Sequence, residues 1–597
     1  MPSSLDLLVS GPVVYLVAAL LSVVASLLTL IASTLLLRRY RRTVARLMSA
    51  TARGSADRAP DLATPLPAPN ASSTPGAARH REPNLAERWF RASVDGPWRH
   101  ARRYAAGGLL FATIVGWAAF QAFSQTQINP LRAATHPLQL LFLIWTFAWP
   151  VVLTANLVAT TGWRKRCLVV MTYFAVLAML GALLVLTPTE PAVQQGEVSV
   201  ASWSGETPIR LLGKWIVFNL GPTLLVGMFR IRRVRAVAPL VLSFMTVVAA
   251  GLLAMVAAVW IYREPLGTVV TAVSGFLGLS FALTFIGCLL LLMVIACISP
   301  ALLGWCLLVW MRHAYLRKVI SDQSLAIDAM WLVFATFYAA ILIFAGPGWV
   351  LAVPVALAVF RMTVRTGNRS AASRAGVAEA GPALLVLRVF SLGQRSERLF
   401  ELVSKYWRHI GNVQLIVGID LATSTIAPHQ FLAFVAGKLQ GLFIDSSAAI
   451  ERSAGQLDTR RDQDGRFRIN DFYCHADTWQ RVLVRLVAGS DAVLMDLRSF
   501  SPGNDGCVFE IKALLNAVPL ERLLFIIDAT TDKVFLNRTL AQACRELSSA
   551  SPNVGLQSEA VQPFELESLR QNAIEELLRL LCTAAAGGLE RRPRYAS

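Results

Sequence analysis

Apolar residues arrive in long unbroken runs through the first two thirds of the chain and in short, interrupted ones through the rest. Runs long enough for a helix to cross a hydrocarbon core of roughly 30 Å recur at 9–37, 105–123, 138–160, 167–187, 211–229, 237–262, 272–298, 328–345 and 349–364. After Val364 they stop. The pattern predicts nine transmembrane helices followed by a separately folded region. From Pro382, strand-like runs at 384–390, 413–419, 492–497 and 523–527 alternate with amphipathic helical segments at 396–409, 428–440, 477–488, 507–517, 532–548 and 565–586. Apolar strands separated by helices predict an α/β fold, a doubly wound and mostly parallel sheet covered on both faces. Residues 441–476 interrupt the alternation. Their charged stretch, 458–468, has a turn at Asp464 and Gly465 and reads as an insertion folded as a hairpin.

The same pattern sets the domain organisation. Residues 1–48 hold the first membrane helix and its basic flank, and 49–83, rich in Ala, Pro, Ser and Thr, form a disordered cytoplasmic insert too poor in apolar residues to fold. Residues 84–366 open with a segment that sets Trp89, Phe90 and Trp98 among Arg88, Arg91, Arg99, Arg102 and Arg103. It reads as a helix lying in the membrane interface, or equally as an ordinary basic membrane flank. About eight further spans follow, then a linker at 367–381 and the α/β domain at 382–590. The apolar run at 268–311 contains no loop. It reads as one span kinked at Pro300 and continued as an interfacial helix with Trp305, Trp310, Arg312 and Arg317.

Composition agrees with lipid as the solvent, since 55% of residues are hydrophobic and 16% charged, against about a quarter charged in ordinary globular domains. The formal charge of +19 does not point to nucleic acid, because the arginines sit in short segments beside apolar runs rather than on one basic face. Their placement carries topology. With the N-terminus outside, inward segments hold Arg38, Arg39, Arg41 and Arg42, then Arg164, Lys165 and Arg166, then Arg230, Arg232, Arg233 and Arg235, then Arg312, Arg317 and Lys318. Outward loops hold single arginines, Arg132, Arg210 and Arg263. This predicts a multi-pass protein of the cell membrane, its basic segments against an anionic inner leaflet and its C-terminal domain in the cytoplasm. The eight cysteines lack the short spacing of zinc or redox motifs, so reduced thiols and no bound metal are expected.

In a doubly wound sheet, ligands bind beyond the carboxyl ends of the strands. Ser391, Ser396, Asp420, Asp496, Ser501 and Asp505 all fall there, where carboxylates can grip ribose hydroxyls and helix N-termini can take phosphate. The plainer reading makes most of them caps or turn residues. One segment is more specific. Residues 496–510 run Asp-Leu-Arg-Ser-Phe-Ser-Pro-Gly-Asn-Asp-Gly-Cys-Val-Phe-Glu: a strand end, a small polar loop, then Gly506, Cys507 and Glu510 opening a helix.

This segment resembles TIR domains, in which a serine loop, a cysteine and a glutamate follow the central strand. It is similar also to nucleoside deoxyribosyltransferases, whose Asp-x-Gly-Thr-x-x-Glu segment matches Asn504, Asp505, Gly506 and Glu510. Leu387, Arg388, Val389, Phe390 and Ser391, followed by Ser396, Glu397, Arg398 and Leu399, also resemble a TIR opening. The insertion at 441–476 and Gly506, where TIR domains carry an aromatic residue, depart from the pattern. The resemblance implies a flavodoxin-like fold and a signalling or defence role. It also implies Glu510 acting on the N-glycosidic bond of NAD or a nucleoside, NAD being a substrate with no further cofactor required. A carboxylate fixed beside the anomeric carbon stabilises the oxocarbenium character that bond cleavage builds. The helix dipole is expected to keep Glu510 ionised, and a merely helix-stabilising Glu is the alternative.

Within the apolar runs, Lys214 lies near a span end, Asp328 is within reach of interfacial arginine or lysine, and Asn156 and Asn219 lie deeper. Single asparagines there read as interhelical hydrogen bonds. Three classes stay open: a membrane-anchored enzyme, a non-catalytic sensor or scaffold that binds a nucleotide or protein and can form homo-oligomers, and a transporter with a regulatory domain. The predicted topology is checked by a reporter fused after Ser597, which should be active only in the cytoplasm; extracellular activity would overturn the nine-span reading.

Overall fold

A computed structural model describes residues 12–49, 84–125, 137–159, 163–186, 208–230, 237–261, 263–343, 346–374, 381–388, 394–417, 428–475 and 478–587. The chain divides into two compact units, Met1–Leu37 with His100–Arg369, and Arg38–Arg99 with Ser370–Ser597. The insert expected at 49–83 lies, from residue 50 on, outside the described residues. The linker expected at 367–381 is helical as far as Arg374, because it continues the preceding helix.

The first unit is helical. Its elements are α1 (Pro12–Ser49), α2 (Leu85–Gln125), α3 (Pro137–Phe147), α4 (Trp149–Val158), α5 (Trp163–Leu186), α6 (Pro208–Gly227), α7 (Ala238–Ile261), α8 (Arg263–Leu277), α9 (Phe281–Leu316), α10 (Asp322–Leu342) and α11 (Ala352–Arg374). The division into units falls within α1, α2 and α11. Among the described residues, five stretches are long and apolar enough to cross a membrane: Leu85–Ala122, Pro137–Val158, Arg164–Leu186, Asp322–Leu342 and Gly348–Asn368. The bent pair Gly267–Leu277 and Ala282–Leu292 makes a sixth if it is one span. Leu211–Gly227 and Ala238–Gly251 are shorter apolar helices.

The bend expected at Pro300 lies instead at Gly278. Gly278 takes φ +64°, the left-handed conformation that closes a helix, and the Leu279 N–H reaches back to the Ser274 carbonyl at 3.2 Å. Ser280 then caps α9 by accepting from the Leu283 N–H, and the two helices meet at 116°. Pro300 stays inside α9, its ring packed against Gly251 of α7, where a Cβ would collide with it.

Pro150 divides α3 from α4. A proline has no N–H and its ring crowds the carbonyl four residues back, here that of Thr146. That carbonyl accepts from Asn219 Nδ2 at 3.1 Å, and the neighbouring Trp145 carbonyl from the Tyr173 hydroxyl at 3.0 Å. Asn219 Oδ1 in turn accepts from the Tyr338 hydroxyl at 2.9 Å, so this asparagine is the interhelical bond expected of it. Asp328 lies 3.8 Å from Arg361, again as its position suggested.

In the second unit, seven strands form one sheet in the order β3-β4-β2-β1-β5-β6-β7, with every neighbouring pair parallel. They are β1 (Ala383–Arg388), β2 (Asn412–Val417), β3 (Phe443–Ile444), β4 (Ile469–Cys474), β5 (Ala492–Asp496), β6 (Leu523–Ile527) and β7 (Phe564–Glu565). The helices are α12 (Gln394–Trp407), α13 (Pro428–Val435), α14 (Ser447–Gly455), α15 (Trp479–Val487), α16 (Asp505–Ala517), α17 (Lys533–Arg545) and α18 (Gln571–Ala585).

Alternation along the strands builds two cores. Leu385, Leu387, Val493, Met495, Phe525 and Ile527 join one cluster with Val482, Leu483, Ile511, Leu514, Leu536 and Leu540 of α15, α16 and α17. The intervening residues, among them Leu384, Val386, Leu494, Leu524 and Ile526, are buried with the sheet side of α12 and α18, including Leu399, Val403, Leu577 and Leu581. The order β2-β1-β5-β6-β7 is the 2-1-3-4-5 order of a doubly wound sheet.

The insertion is not a hairpin. β3 and β4 run parallel, and parallel neighbours need a crossover, which α14 supplies. The predicted turn is present, with Gly465 at φ +81° and its N–H bonded to the Asp462 carbonyl at 2.8 Å. It lies in the connection that leads into β4.

Residues 38–49 and 84–99 belong to the same unit as the sheet. Tyr40, Val44 and Met48 form a buried stripe on one face of α1, opposite the arginines. Tyr40 meets the Phe434 ring edge-on at 5.5 Å, and the Leu47 carbonyl lies 2.9 Å from His475 Nδ1. On α2, Glu87 pairs with Arg579 at 3.0 Å while the Arg579 guanidinium sits over the Phe90 ring. The segment read as lying in the membrane interface is therefore docked, over residues 84–99, on the α/β domain, because its aromatic and acidic residues find partners there. Tyr40→Ala is expected to destabilise this unit by roughly 3 kcal/mol, the cost of emptying a buried aromatic site. Amide exchange in β4 and α13 of the full-length protein measures it, and unchanged exchange would refute the packing.

Candidate functional site at the carboxyl edge of the sheet

β1 and β5 lie side by side and end in register, Arg388 opposite Asp496. Both are charged residues closing otherwise apolar strands, and both are buried. Asp496 is held from three sides. Arg498 grips it with two nitrogens, Nε to Oδ1 at 2.8 Å and Nη2 to Oδ2 at 2.7 Å. The Ser396 hydroxyl donates to Oδ2 at 3.0 Å, and the Arg498 N–H to Oδ1 at 3.2 Å. Reaching two residues back to the same carboxylate folds the loop tightly, and Ser499 takes φ +58° where the chain turns away.

A second, more open pair adjoins the first. Arg395, whose carbonyl accepts from Arg498 Nη2 at 3.2 Å, donates through its own Nη2 to Asp528 at 2.6 Å. Asp528 also accepts from the Thr530 hydroxyl at 2.6 Å and the Thr530 N–H at 2.9 Å, and Thr530 and Ser499 hydroxyls meet at 2.8 Å. Burial pushes the Asp528 pKa up, but the Thr530 bonds and the Arg395 and Arg498 charges outweigh it and hold the carboxyl below its usual range.

The next loop leads into α16. Asn504 turns its side chain back to accept from the Ser501 N–H at 2.9 Å and the Ser501 hydroxyl at 3.3 Å. Asp505, the first residue of the helix, is exposed. Cys507 packs inward with its sulfur 4.0 Å from the Arg388 carbonyl. One turn further, Glu510 is 1% exposed, and its Oε2 has no hydrogen-bond partner.

Glu510 is not held ionised by its helix. Burial pushes its pKa up to about 8, against a smaller opposing effect of the Arg388 charge. The dipole of a helix acts mainly within its first turn, whereas Glu510 stands in the second, where loss of solvation dominates. The resting domain therefore carries a neutral carboxyl at this position near pH 7, with a proton to give and one oxygen uncommitted.

Among the residues expected to form the site, Ser396 and Asp496 are brought together in the Arg498 network. Ser501 serves the entry to α16, Asp505 faces outward, and Glu510 stands beside Arg388 apart from the Asp496 bonds. Ser391 and Asp420 lie outside the described residues. Arg395, Arg498 and Thr530 enter the edge unforeseen. Their sequence signal is slight: Arg498 follows Asp496 by two residues, and Thr530 follows Asp528 by two. Among the described residues, no group of three His, Cys, Asp or Glu side chains is placed to hold a metal. No family model, curated protein or solved structure matches the chain.

The raised pKa of Glu510 makes stability depend on pH. The folded state holds the proton more tightly than the unfolded chain, so stability falls as pH rises from about 4.5 to about 8 and levels off above that. Glu510→Gln removes this loss. Amide exchange in α16 of full-length protein should slow in the variant relative to wild type at pH 9, by up to roughly 5 kcal/mol of opening free energy at ~1.4 kcal/mol per pKa unit. The gap should close by pH 5; a gap independent of pH would refute the assignment.

Proposed function

We propose that the protein is a membrane-anchored enzyme of the cell membrane whose cytoplasmic, TIR-like α/β domain cleaves the N-glycosidic bond of NAD or a related nucleotide in signalling or defence. The observation that carries this reading is the Glu510 carboxyl, buried with an uncommitted oxygen on the helix that follows the middle strand of the 2-1-3-4-5 set. A carboxyl so placed is costly to folding and offsets no positive charge by direct hydrogen bonding, which suits a group kept for chemistry.

The chemistry follows from its charge. A cationic nicotinamide ribosyl group beside Glu510 favours the ionised carboxylate, as Arg388 does more weakly. The carboxylate then stabilises the anomeric carbon as the C–N bond breaks and nicotinamide leaves with the bonding pair. Water adds to the carbon, and its proton passes to Glu510 or solvent. Ser501, Asp505, Ser391 and Asp420 are the candidates for binding the ribose and phosphates at this edge.

A second reading has its own support. Ser396, Asp496 and Asp528 are engaged in bonds within the domain, which suits a scaffold that binds a nucleotide or partner without turnover. Full-length protein in detergent or nanodiscs separates the two. Incubated with NAD, wild type should release nicotinamide and Glu510→Gln should lose at least ~100-fold of that rate, the scale on which a charge-stabilising group acts. Binding without release, for clustered as for dispersed protein, would sink the enzyme reading, and turnover undiminished in Glu510→Gln would sink the residue.

A further inference from the structure

The insertion's charged stretch contains an imbalance that its own folding does not explain. Asp464 is bonded to Arg466 at 2.9 Å, and Asp462 to Arg468 at 2.8 Å, all four side chains being buried. Asp458 also lies 3.7 Å from Arg468. Arg461, in the same stretch, spends Nη1 on the backbone carbonyls of His409, at 2.9 Å, and Gly465, at 2.8 Å, and lies over the Phe467 ring with its guanidinium carbon 4.4 Å from the centroid. None of these partners carries a negative charge.

The chain brings a second arginine to the same place. On α2, Gly96 presses against the His409 ring so closely that a Cβ would collide with it. Arg99 stands three residues on, on the same helical face, and donates Nη2 to the Ala92 carbonyl at 3.1 Å. His409 thus receives Gly96 on its ring and Arg461 on its carbonyl, which sets α2 and the charged stretch side by side. Burial first, and the Arg99 charge second, push the Arg461 pKa down. Among the described residues neither arginine has a carboxylate partner, and Asp95, one turn back on α2, makes no ion pair with Arg99. Trp98 beside them is exposed, as the aromatic residues of a membrane interface are. Arg99 also lies within the stretch of α2, Leu85–Ala122, that is long and apolar enough to cross a membrane.

We propose that Arg99 and Arg461 together form a site for the phosphate group of an anionic membrane phospholipid, with Trp98 at the level of the headgroups. The site rests on the reading that the basic segments face an anionic leaflet, and narrows it from diffuse attraction to two named residues. One comes from a helix that leads to the membrane and the other from the insertion in the sheet. A phosphodiester placed between the guanidiniums removes their repulsion and accepts from nitrogens that the backbone carbonyls leave over. This also gives the 441–476 insertion a task that the catalytic edge does not.

The test uses full-length protein in neutral detergent and a fluorescent short-chain phosphatidylglycerol, with no nucleotide present, so that its outcome is independent of NAD cleavage. Arg99→Gln and Arg461→Gln should each weaken lipid binding about fivefold, the factor that ~1 kcal/mol per basic residue represents. Arg485→Gln, which removes an exposed ion pair with Glu451, should leave it unchanged. Inorganic phosphate at millimolar concentration should not displace the lipid. Equal loss in all three variants, no loss in Arg99→Gln, or displacement by phosphate alone would each overturn the proposal. Arg99 makes a single backbone bond, so its variant stays informative if Arg461→Gln unfolds the insertion.

Discussion

Asp496 ends its strand inside the protein, and much of the carboxyl edge is shaped by the need to satisfy it. A buried carboxylate left unpaired would cost several kcal/mol, so the chain spends the next residues returning Arg498 to it. That return forces the left-handed turn at Ser499 and aligns Arg395 through its carbonyl. Asp528 and Thr530 are drawn in from the neighbouring strand end. The network is complete in itself, which is why it reads as a frame rather than a receptor.

Glu510 is the contrast. It is as deeply buried as Asp496, yet it has an electrostatic neighbour in Arg388 rather than a two-pronged grip. The difference between the two carboxyls is one of environment: one is gripped by two guanidinium nitrogens, the other is pushed by burial to a pKa of about 8. Such a division is the usual physical basis for assigning one carboxyl to structure and another to proton or charge chemistry.

The helical unit meets the same constraint. Where Pro150 leaves the Thr146 carbonyl of α3 without its helical donor, the Asn219 amide takes it. Asn219, deep in an apolar run, is thus accounted for by the backbone carbonyl and the hydroxyl that it bonds.

The sequence by itself determined what depends on local pattern. Apolar run length marked helices long enough to cross a membrane, and short apolar runs alternating with amphipathic segments marked the four main strands and the helices between them, because these signals are written in neighbouring residues. The place of Glu510 near the start of the helix after the strand that ends in Asp496 was also legible. Tertiary structure decided whatever depends on residues far apart in the chain. Gly278 rather than Pro300 breaks the long apolar run, because a proline packed against Gly251 is tolerated where a helix-ending glycine with Ser280 behind it is not. The insertion became a parallel crossover, and residues 38–49 and 84–99 joined the α/β domain, through partners such as Phe434, His475 and Arg579 that lie hundreds of residues away. Glu510 showed the same limit: its position in a helix suggested an anion, but protonation is set by burial, and burial is a property of the assembled core.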